Sequence, residues 1–480
     1  MADSWWVVKS SQESVYSSGL SSLSERGGAS LLCSPLSLQG EAKFDICARR
    51  SIGGGGEGSI AGAEASETGS GSRRSVCKSY QGSTPFEAGW GLVRAFTLLL
   101  ESRFQSISKP LRKNLAVLGV AFIHALSSGR SGYGNLSLAS LARMLPTHGT
   151  PHAREKRLHR FLKNHRLDFR AVASSLGDIL LSHRKGFCPV LFDQTKSGSA
   201  QALIAAVPYA GRSLPIGCYT FSYPLDEPNL DSQNQLEHIF LLDIEESLPK
   251  DVIPVWIGDR AYARSLLLLQ SEKEGRPYII RGREGTIIEY KGSRMKLRQL
   301  KAKPYVPLRY ENVCYHSSRK VAVDVIVYND PKYKEIWYLL TPVSYRDLLT
   351  TDIVVELYRE RMQIEQSFRD FKTHLGMRGL QLKVDIAERI GRLILAFCLI
   401  YILCVLLGES PIGQQARKVF EIPRKIPRHG TTRTLSALMI AMLMLSHPAW
   451  KQVSISFIIN TVINAAKGKS SLLGINALPP

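Results

Sequence analysis

The sequence predicts an α/β fold: a central α/β domain with an all-β insertion, preceded by a helical region and followed by C-terminal helices. Three observations predict it. Two apolar runs, Cys188-Pro-Val-Leu-Phe-Asp193 and Val252-Ile-Pro-Val-Trp-Ile257, are short, buried in character and end in acidic residues, Asp193 directly and Asp259 after Gly258. Upstream, apolar residues recur at helical spacing with no β alternation. Between about 282 and 335, short alternating β-type segments are broken by Gly, Pro and charged turns.

Residues 1–88 are rich in Ser and Gly, including Gly53 to Gly56. Such a leader cannot bury enough apolar surface to offset its ordering entropy, so disorder is expected. A helical region, 89–185, follows, with helices predicted over Leu92–Phe104, Leu111–Ala125, Leu136–Leu145, Ala153–Lys163 and Phe169–Ser182. The fourth of these carries Arg154, Lys156, Arg157, Arg160 and Lys163. Short helix, turn and basic helix outline a helix-turn-helix module, with Arg157 and Arg160 as candidate DNA contacts. A helical bundle with a solvated basic face has the same pattern.

The α/β domain is bounded at 186–410. After Asp193, a strand is predicted over Ser213–Phe221 and a helix over Gln233–Leu248. Helix Tyr262–Lys273 and strand Tyr278–Ile280 follow Asp259. The insertion supplies Ile287–Lys291, Val313–His316 and Val321–Val327, and Ile336–Thr341 returns to buried-strand character. Arg389–Leu407 reads as a core helix; its longest apolar run is shorter than the about 20 residues of a membrane span. In the C-terminal region, 411–480, a basic linker from Arg417 to Arg433 leads to helical segments Leu435–Ser446 and Val453–Ala466.

With 62 Lys and Arg against 41 Asp and Glu, the formal net charge of +21 favours a polyanionic partner, most often nucleic acid. An anionic membrane surface is the alternative, and the composition of a folded protein disfavours it. The eight cysteines are scattered without a C-x-x-C pair, which points to a reducing compartment and away from a zinc cluster. No signal-peptide layout opens the chain, so a soluble, intracellular protein is expected.

The segment from Tyr358 to Lys372 lacks Gly and Pro and reads as one amphipathic helix. At about 100° per residue, Tyr358, Arg361, Glu365 and Lys372 fall within roughly 60° of one another. Leu357, Ile364, Phe368, Phe371 and Leu375 form the neighbouring apolar stripe. Arg361 and Lys372 suit phosphate oxygens, and Glu365 suits a hard cation; a solvated, salt-bridged face is the competing reading. Carboxylates gathered from two strand ends and a helix would repel one another unless cations neutralise them. Two Mg²⁺ ions about 3.5–4 Å apart would do so.

Tyr358-x2-Arg361-x3-Glu365-x6-Lys372 resembles the Tyr-Arg-Glu-Lys signature of DDE transposases of the insertion-sequence-four (IS-four) superfamily, to which transposon-five transposase is related. Phe-Asp193-Gln-Thr, Asp259-Arg260 and Ile-Glu-Gln-Ser-Phe-Arg-Asp-Phe-Lys are similar to the family's other blocks, and the resemblance spans roughly Lys109 to Leu407. It implies an RNase H-like domain in which Asp193, Asp259 and Glu365 are catalytic and hold two Mg²⁺ ions, with Mn²⁺ able to substitute. It further implies DNA contacts from Tyr358, Arg361, Lys372, Arg281 and Arg260. Trp337 is placed like an aromatic that stacks on an extruded base, although a Trp in such a strand is as often core. Met362 departs from the pattern, since many members carry Trp there.

The implied activity is DNA transposition: binding terminal inverted repeats, cleaving at the ends with metal-activated water, and joining the 3′-OH to target DNA. The partners would be double-stranded DNA and a second copy of the chain, with no membrane, in the cytoplasm of a bacterium at its nucleoid. The alternatives are an RNase H-like nuclease without strand transfer and a domesticated, inactive DNA-binding derivative.

Overall fold

The computed structural model describes residues 85–128, 137–197, 200–225, 232–375, 386–423 and 434–468; the expected leader up to residue 84 lies outside them. Helix α1 (Pro85–Arg103) starts inside the stretch assigned to that leader. It is followed by α2 (Lys109–Ser127), α3 (Leu138–Met144), α4 (Pro151–Lys163) and α5 (Phe169–Leu181). Three of these starts are written in the chain. The side chains of Ser137, Thr150 and Asp168 accept backbone N–H groups of Ser140, Ala153 and Arg170, supplying acceptors that a helix N-terminus otherwise lacks. The predicted short helix, turn and basic helix are therefore present, as α3, residues 145–150 and α4.

The sheet begins with β1 (Gly186–Ser197), β2 (Ala200–Tyr209) and β3 (Arg212–Ser222), an antiparallel meander. Helix α6 (Gln233–Ser247) leads to β4 (Val252–Gly258), which lies parallel to β1. The helix expected over Tyr262–Lys273 is a 3₁₀ turn at Arg260–Tyr262 followed by α7 (Ser265–Lys273). Strand β5 (Tyr278–Arg281) then joins β4 in parallel.

The β-rich stretch is present as β6 (Ile287–Tyr290), β7 (Ser293–Lys296), β8 (Leu308–Tyr315) and β9 (Val321–Tyr328). It does not close on itself. Strand β10 (Trp337–Pro342) pairs antiparallel with both β5 and β9, so one ten-stranded sheet runs β3-β2-β1-β4-β5-β10-β9-β8-β6-β7. Asp324 of β9 is wholly buried and ties this half of the sheet to the segment after β10. Its carboxylate accepts Arg309 Nη1 at 2.8 Å, Arg346 Nε at 2.7 Å and the Asn312 N–H at 3.0 Å. These donors hold its pKa below the usual carboxylate value although burial pushes the other way. Arg346 lies just before α8 (Thr351–Glu360), so the clamp also sets where that helix starts.

The segment expected as one helix from Tyr358 is the end of α8 plus α9 (Met362–Thr373). They divide at Arg361, where the Arg361 N–H bonds Tyr358 O at 3.1 Å and the Ile364 N–H bonds Arg361 O at 3.2 Å, both three residues back. This tightening to 3₁₀ spacing turns the Arg361 side chain inward.

Helix α10 (Ala387–Glu409) is long and apolar enough to cross a membrane, with a mean hydropathy of 2.7 over its best window. Every residue of that window is buried within the fold, which makes it the central core helix. The linker expected from Arg417 begins as helix: α11 (Pro411–Phe420) carries Arg417, which pairs with Glu409 at 2.6 Å and Glu421 at 2.9 Å. Residues 424–433 of that linker lie outside the described ones. Helices α12 (Ala437–Ser446) and α13 (Pro448–Ala466) end the described chain. Helix α13 packs on α1, and α12 packs on α2 and α10. All the described residues fall in one compact unit. Gly408 permits part of this packing, because a Cβ there would collide with the backbone of Ala437.

Candidate active site

Strand register brings the two aspartates together. Leu191 of β1 lies beside Ile257 of β4 in the parallel pair. Two residues further on come Asp193 and Asp259, on the same face because side chains alternate with period two; Asp259 follows the end of β4, whereas Asp193 does not end its strand as expected, since β1 runs on to Ser197 through its pairing with β2. Neighbouring strands are about 4.8 Å apart, so both carboxyls emerge at one rim of the sheet.

Gly258 keeps the approach open. A Cβ at this position would lie 2.8 Å from the ring of Phe192, which packs against Trp256 and Tyr262. Gly258→Ala is therefore expected to displace Phe192 or the Asp259 backbone, at a cost of about 1–3 kcal/mol. A lowered thermal midpoint checks this. A second substitution, Phe192→Leu, should recover part of the loss if the ring is the obstacle.

Glu365 of α9 completes the group, but Arg361 stands among the three acids. Its Nη2 donates to Glu365 Oε1 at 2.6 Å, and its Nη1 lies 3.9 Å from Asp193 Oδ2. Only 8% of the Arg361 side chain is exposed, and its Nε and Nη1 have no hydrogen-bond partner among the described residues. Burial pulls its pKa down; the neighbouring Tyr358, Glu365 and Asp259 more than offset that, and the net shift is upward. The competing reading of a solvated, salt-bridged face does not describe Arg361, which is buried. Arg361 faces inward and acts here as the counter-ion of the acids, because the edge it shares with Glu365 abuts the sheet rim.

Asp193 records the crowding. Its carboxyl is pushed up to about 6, chiefly by burial, with Asp259 and Glu365 adding to the rise; the Gln194 N–H and Arg361 oppose it. Tyr262, buried beneath the aspartates, has its hydroxyl pushed well up by burial and by both their charges. Three carboxylates with a single guanidinium among them are hard oxygen donors of the kind a divalent cation such as Mg²⁺ prefers. As arranged, no three His, Cys, Asp or Glu side chains among the described residues draw together closely enough to hold a metal. The residues fit a hard cation by chemistry and charge, and Arg361 takes up part of that charge instead.

Tyr358 is also buried, at 3% exposure, and not on an open edge. Burial pushes its hydroxyl up to about 12, with Arg361 pulling against it, and the Arg361 guanidinium lies 5.9 Å from its ring centre. Its ring meets Trp337 edge-on at 4.9 Å. Trp337 is itself buried, enclosed by Tyr358, Tyr328 and Tyr333, so the core alternative is the one the structure supports. Tyr333 is the exposed member of this aromatic cluster.

Arg281 and Arg260 converge on Glu335, at 2.7 and 3.3 Å. Arg260 is exposed and Arg281 largely enclosed, its Nη2 also donating to Ile336 O at 3.3 Å. Lys372 sits half-buried in the last turn of α9. Met362, the departure from the resemblance, is exposed, and its sulfur lies 3.0 Å from Arg361 Nη2. The two basic residues of α4 are not part of this site. Arg157 Nε donates to Asn114 Oδ1 of α2 at 2.7 Å, and Arg160 is exposed.

Sequence reasoning missed Glu335, Tyr262 and the internal support of α9. Asp370 of α9 accepts Arg212 Nε of β3 at 2.6 Å, and Ser367 Oγ accepts the Ser213 N–H at 2.9 Å and the Tyr401 hydroxyl of α10 at 3.0 Å. Gln363 Oε1 accepts the Tyr209 N–H at 2.9 Å. The signal was present in the polar residues falling every three or four positions on the buried side of α9.

Residues 230–402 match the family model described as a transposase DDE domain. The match supports a DDE transposase family, with DNA transposition as the process and an insertion sequence as the kind of element involved. It spans Asp259 and Glu365 and begins after Asp193. No curated protein matches the chain.

Proposed function

We propose that this chain is a DNA transposase of the insertion-sequence-four type, carrying the Tyr-Arg-Glu-Lys signature on an RNase H-like domain. It binds the terminal inverted repeats of its element, cleaves at their ends and joins the freed 3′-OH to target DNA. The observation that carries this is the convergence of Asp193 on β1, Asp259 just past the end of β4 and Glu365 of α9 on one guanidinium.

Asp193, Asp259 and Glu365 would hold two Mg²⁺ ions, or Mn²⁺ in their place; bound there, the ions supply an activated hydroxyl nucleophile and neutralise the leaving oxygen. The protein's own groups do the rest. Arg361, whose Nε and Nη1 have no hydrogen-bond partner among the described residues, would pair a phosphate oxygen. Lys372, two turns beyond Glu365, and Arg260 beside Asp259 extend the cationic rim. Burial beside Phe192 and Tyr262 limits water around Asp193 and strengthens each charge–charge interaction. Two copies of the chain would pair two DNA ends, in the bacterial cytoplasm at the nucleoid.

The test is an in-vitro reaction of the purified chain with DNA carrying the element's two ends, a target plasmid and Mg²⁺. Covalently joined products are expected. Cleaved ends with no joined product would instead make the chain a nuclease, and neither product would refute both.

A further inference from the structure

The stretch between β7 and β8 lies beside the loop joining β9 to β10. The Tyr305 N–H donates to Asn329 O at 2.8 Å, and Pro304 bridges Asn329 in parallel. Both segments carry the same residue types, Lys301-Ala-Lys303-Pro304-Tyr305 in one and Asp330-Pro-Lys332-Tyr333-Lys334 in the other. The four lysines are exposed, and none forms an ion pair among the described residues. The neighbouring acids do not answer this charge. Asp330 is buried, its carboxylate accepting the Lys332 N–H at 3.0 Å and the Tyr328 hydroxyl at 3.2 Å, and Glu335 is paired with Arg281 and Arg260. The surface of the two loops is cationic and suits an anionic partner.

Tyr305 is held out from this surface against its backbone preference. Lys303 to Val306 form a turn closed by the Val306 N–H to Lys303 O at 3.4 Å, with Pro304 second and Tyr305 third, at φ +61°. Gly is the ordinary occupant of a third position with positive φ, and a bulky side chain is disfavoured there. The side chain so placed is 63% exposed, and its ring and hydroxyl meet no other ring or hydrogen-bond partner among the described residues. Phenol hydroxyls and ammonium groups are both donors to phosphate oxygens.

The loops adjoin the acidic site. The Tyr333 ring lies 4.5 Å from Trp337, and Trp337 lies 4.9 Å from Tyr358, which touches Arg361. Glu335, one residue past Lys334, accepts Arg260, the neighbour of Asp259. A polyanion that presents a phosphate to Asp193, Asp259 and Glu365 has these lysines beside it. A single small anion would occupy one ammonium and leave the others unused. An acidic protein segment answers the charge and gains nothing from its continuity with the acidic site.

We propose that the two loops form a strip that grips the backbone of duplex DNA next to the bond to be cut, with Lys303 and Lys332 each pairing a phosphate and the Tyr305 hydroxyl donating to a third. The proposal rests on the DNA-cleaving reading above for the identity of the polyanion. Contacts of this kind position a duplex and carry no sequence information.

The test uses the full-length protein and a short DNA duplex of arbitrary sequence, followed by fluorescence anisotropy over a range of salt without Mg²⁺, so that no cleavage intervenes. Lys303→Ala and Lys332→Ala should each reduce the slope of log affinity against log salt by about 1, and the double variant by about 2. Lys250→Ala removes the same charge just before β4, at the strand end opposite Asp259, and should leave the slope unchanged. Tyr305→Phe should weaken binding about tenfold, as loss of a hydrogen bond to a charged group does, with an unchanged thermal midpoint. Tyr305→Gly relieves the turn, so its midpoint should rise while its binding falls. A double lysine variant that binds the duplex as wild type does would overturn the proposal, and so would an equal fall in slope for Lys250→Ala. Loss of poly-glutamate binding in the double variant, with duplex binding unchanged, would overturn it in favour of an acidic protein. The joining reaction is read separately. Wild-type chain that shows these slopes but joins no ends keeps the strip and loses the strand-transfer reading; chain that joins ends while the double variant binds normally keeps that reading and loses the strip.

Discussion

Asp259→Asn and Glu365→Gln proteins are expected to bind DNA ends as wild type does and to cleave and join them at least about 10³-fold more slowly. The magnitude follows from loss of a group that acts on charge developing in the transition state, where one neutral donor alone is worth about 10²–10³-fold. Both substitutions keep the shape of the side chain and remove one negative charge from a cluster that already has too many. The Asp193 carboxyl is pushed up to about 6, chiefly by burial, with the other two acids adding to the rise against the Gln194 N–H and Arg361. Removing the Asp259 charge therefore leaves the thermal midpoint unchanged or higher, whereas Glu365→Gln also weakens the pairing of the buried Arg361 and should lower it. A rate loss without a stability loss is the signature of a site held together at the expense of stability. Gel-shift affinity, Mg²⁺-dependent cleavage and a thermal melt, taken on the same preparations, check the three parts. Wild-type cleavage rates in either variant would remove these carboxylates from the chemistry.

The two aspartates were legible because each ends a run whose apolar character has one explanation, a strand buried on both faces. Glu365 was legible through its spacing from Tyr358, Arg361 and Lys372. Strand β2 was not, because Ala200–Tyr209 is rich in Ala, a residue with little β preference, and it is held in the sheet by its neighbours β1 and β3. The fate of Arg361 was also out of reach. Helical periodicity places it beside Glu365 but does not say that this edge faces the sheet rim, and the resulting burial depends on contacts with β1 that no local pattern encodes. Pairing of β9 with β10, and of α1 with α13, is likewise a long-range choice. Each segment's own pattern told what it is and left open whom it meets.

The support beneath Glu365 gives the second large effect, this time on stability. Asp370 and Arg212 are 3% and 17% exposed at their side chains, paired at 2.6 Å, with the Tyr401 hydroxyl 3.3 Å from the same carboxylate oxygen. Burial raises the Asp370 pKa, and Arg212 opposes the rise. Asp370→Ala leaves the Arg212 guanidinium enclosed without its counter-ion, a change that typically costs about 3–5 kcal/mol. A large fall in the thermal midpoint is expected. The double variant Asp370→Ala, Arg212→Leu should recover much of it, because removing both charges abolishes the uncompensated one. The two designs also separate folding from placement. Gln363, Ser367 and Asp370 all fasten α9 to β2 and β3, and Glu365 lies between the first two along the helix. A double variant that regains stability but still cleaves slowly would show that the ion pair sets the position of Glu365. A single variant as stable as wild type would show that the ion pair contributes nothing to folding, and one that also cleaves at the wild-type rate would show that it does not place Glu365.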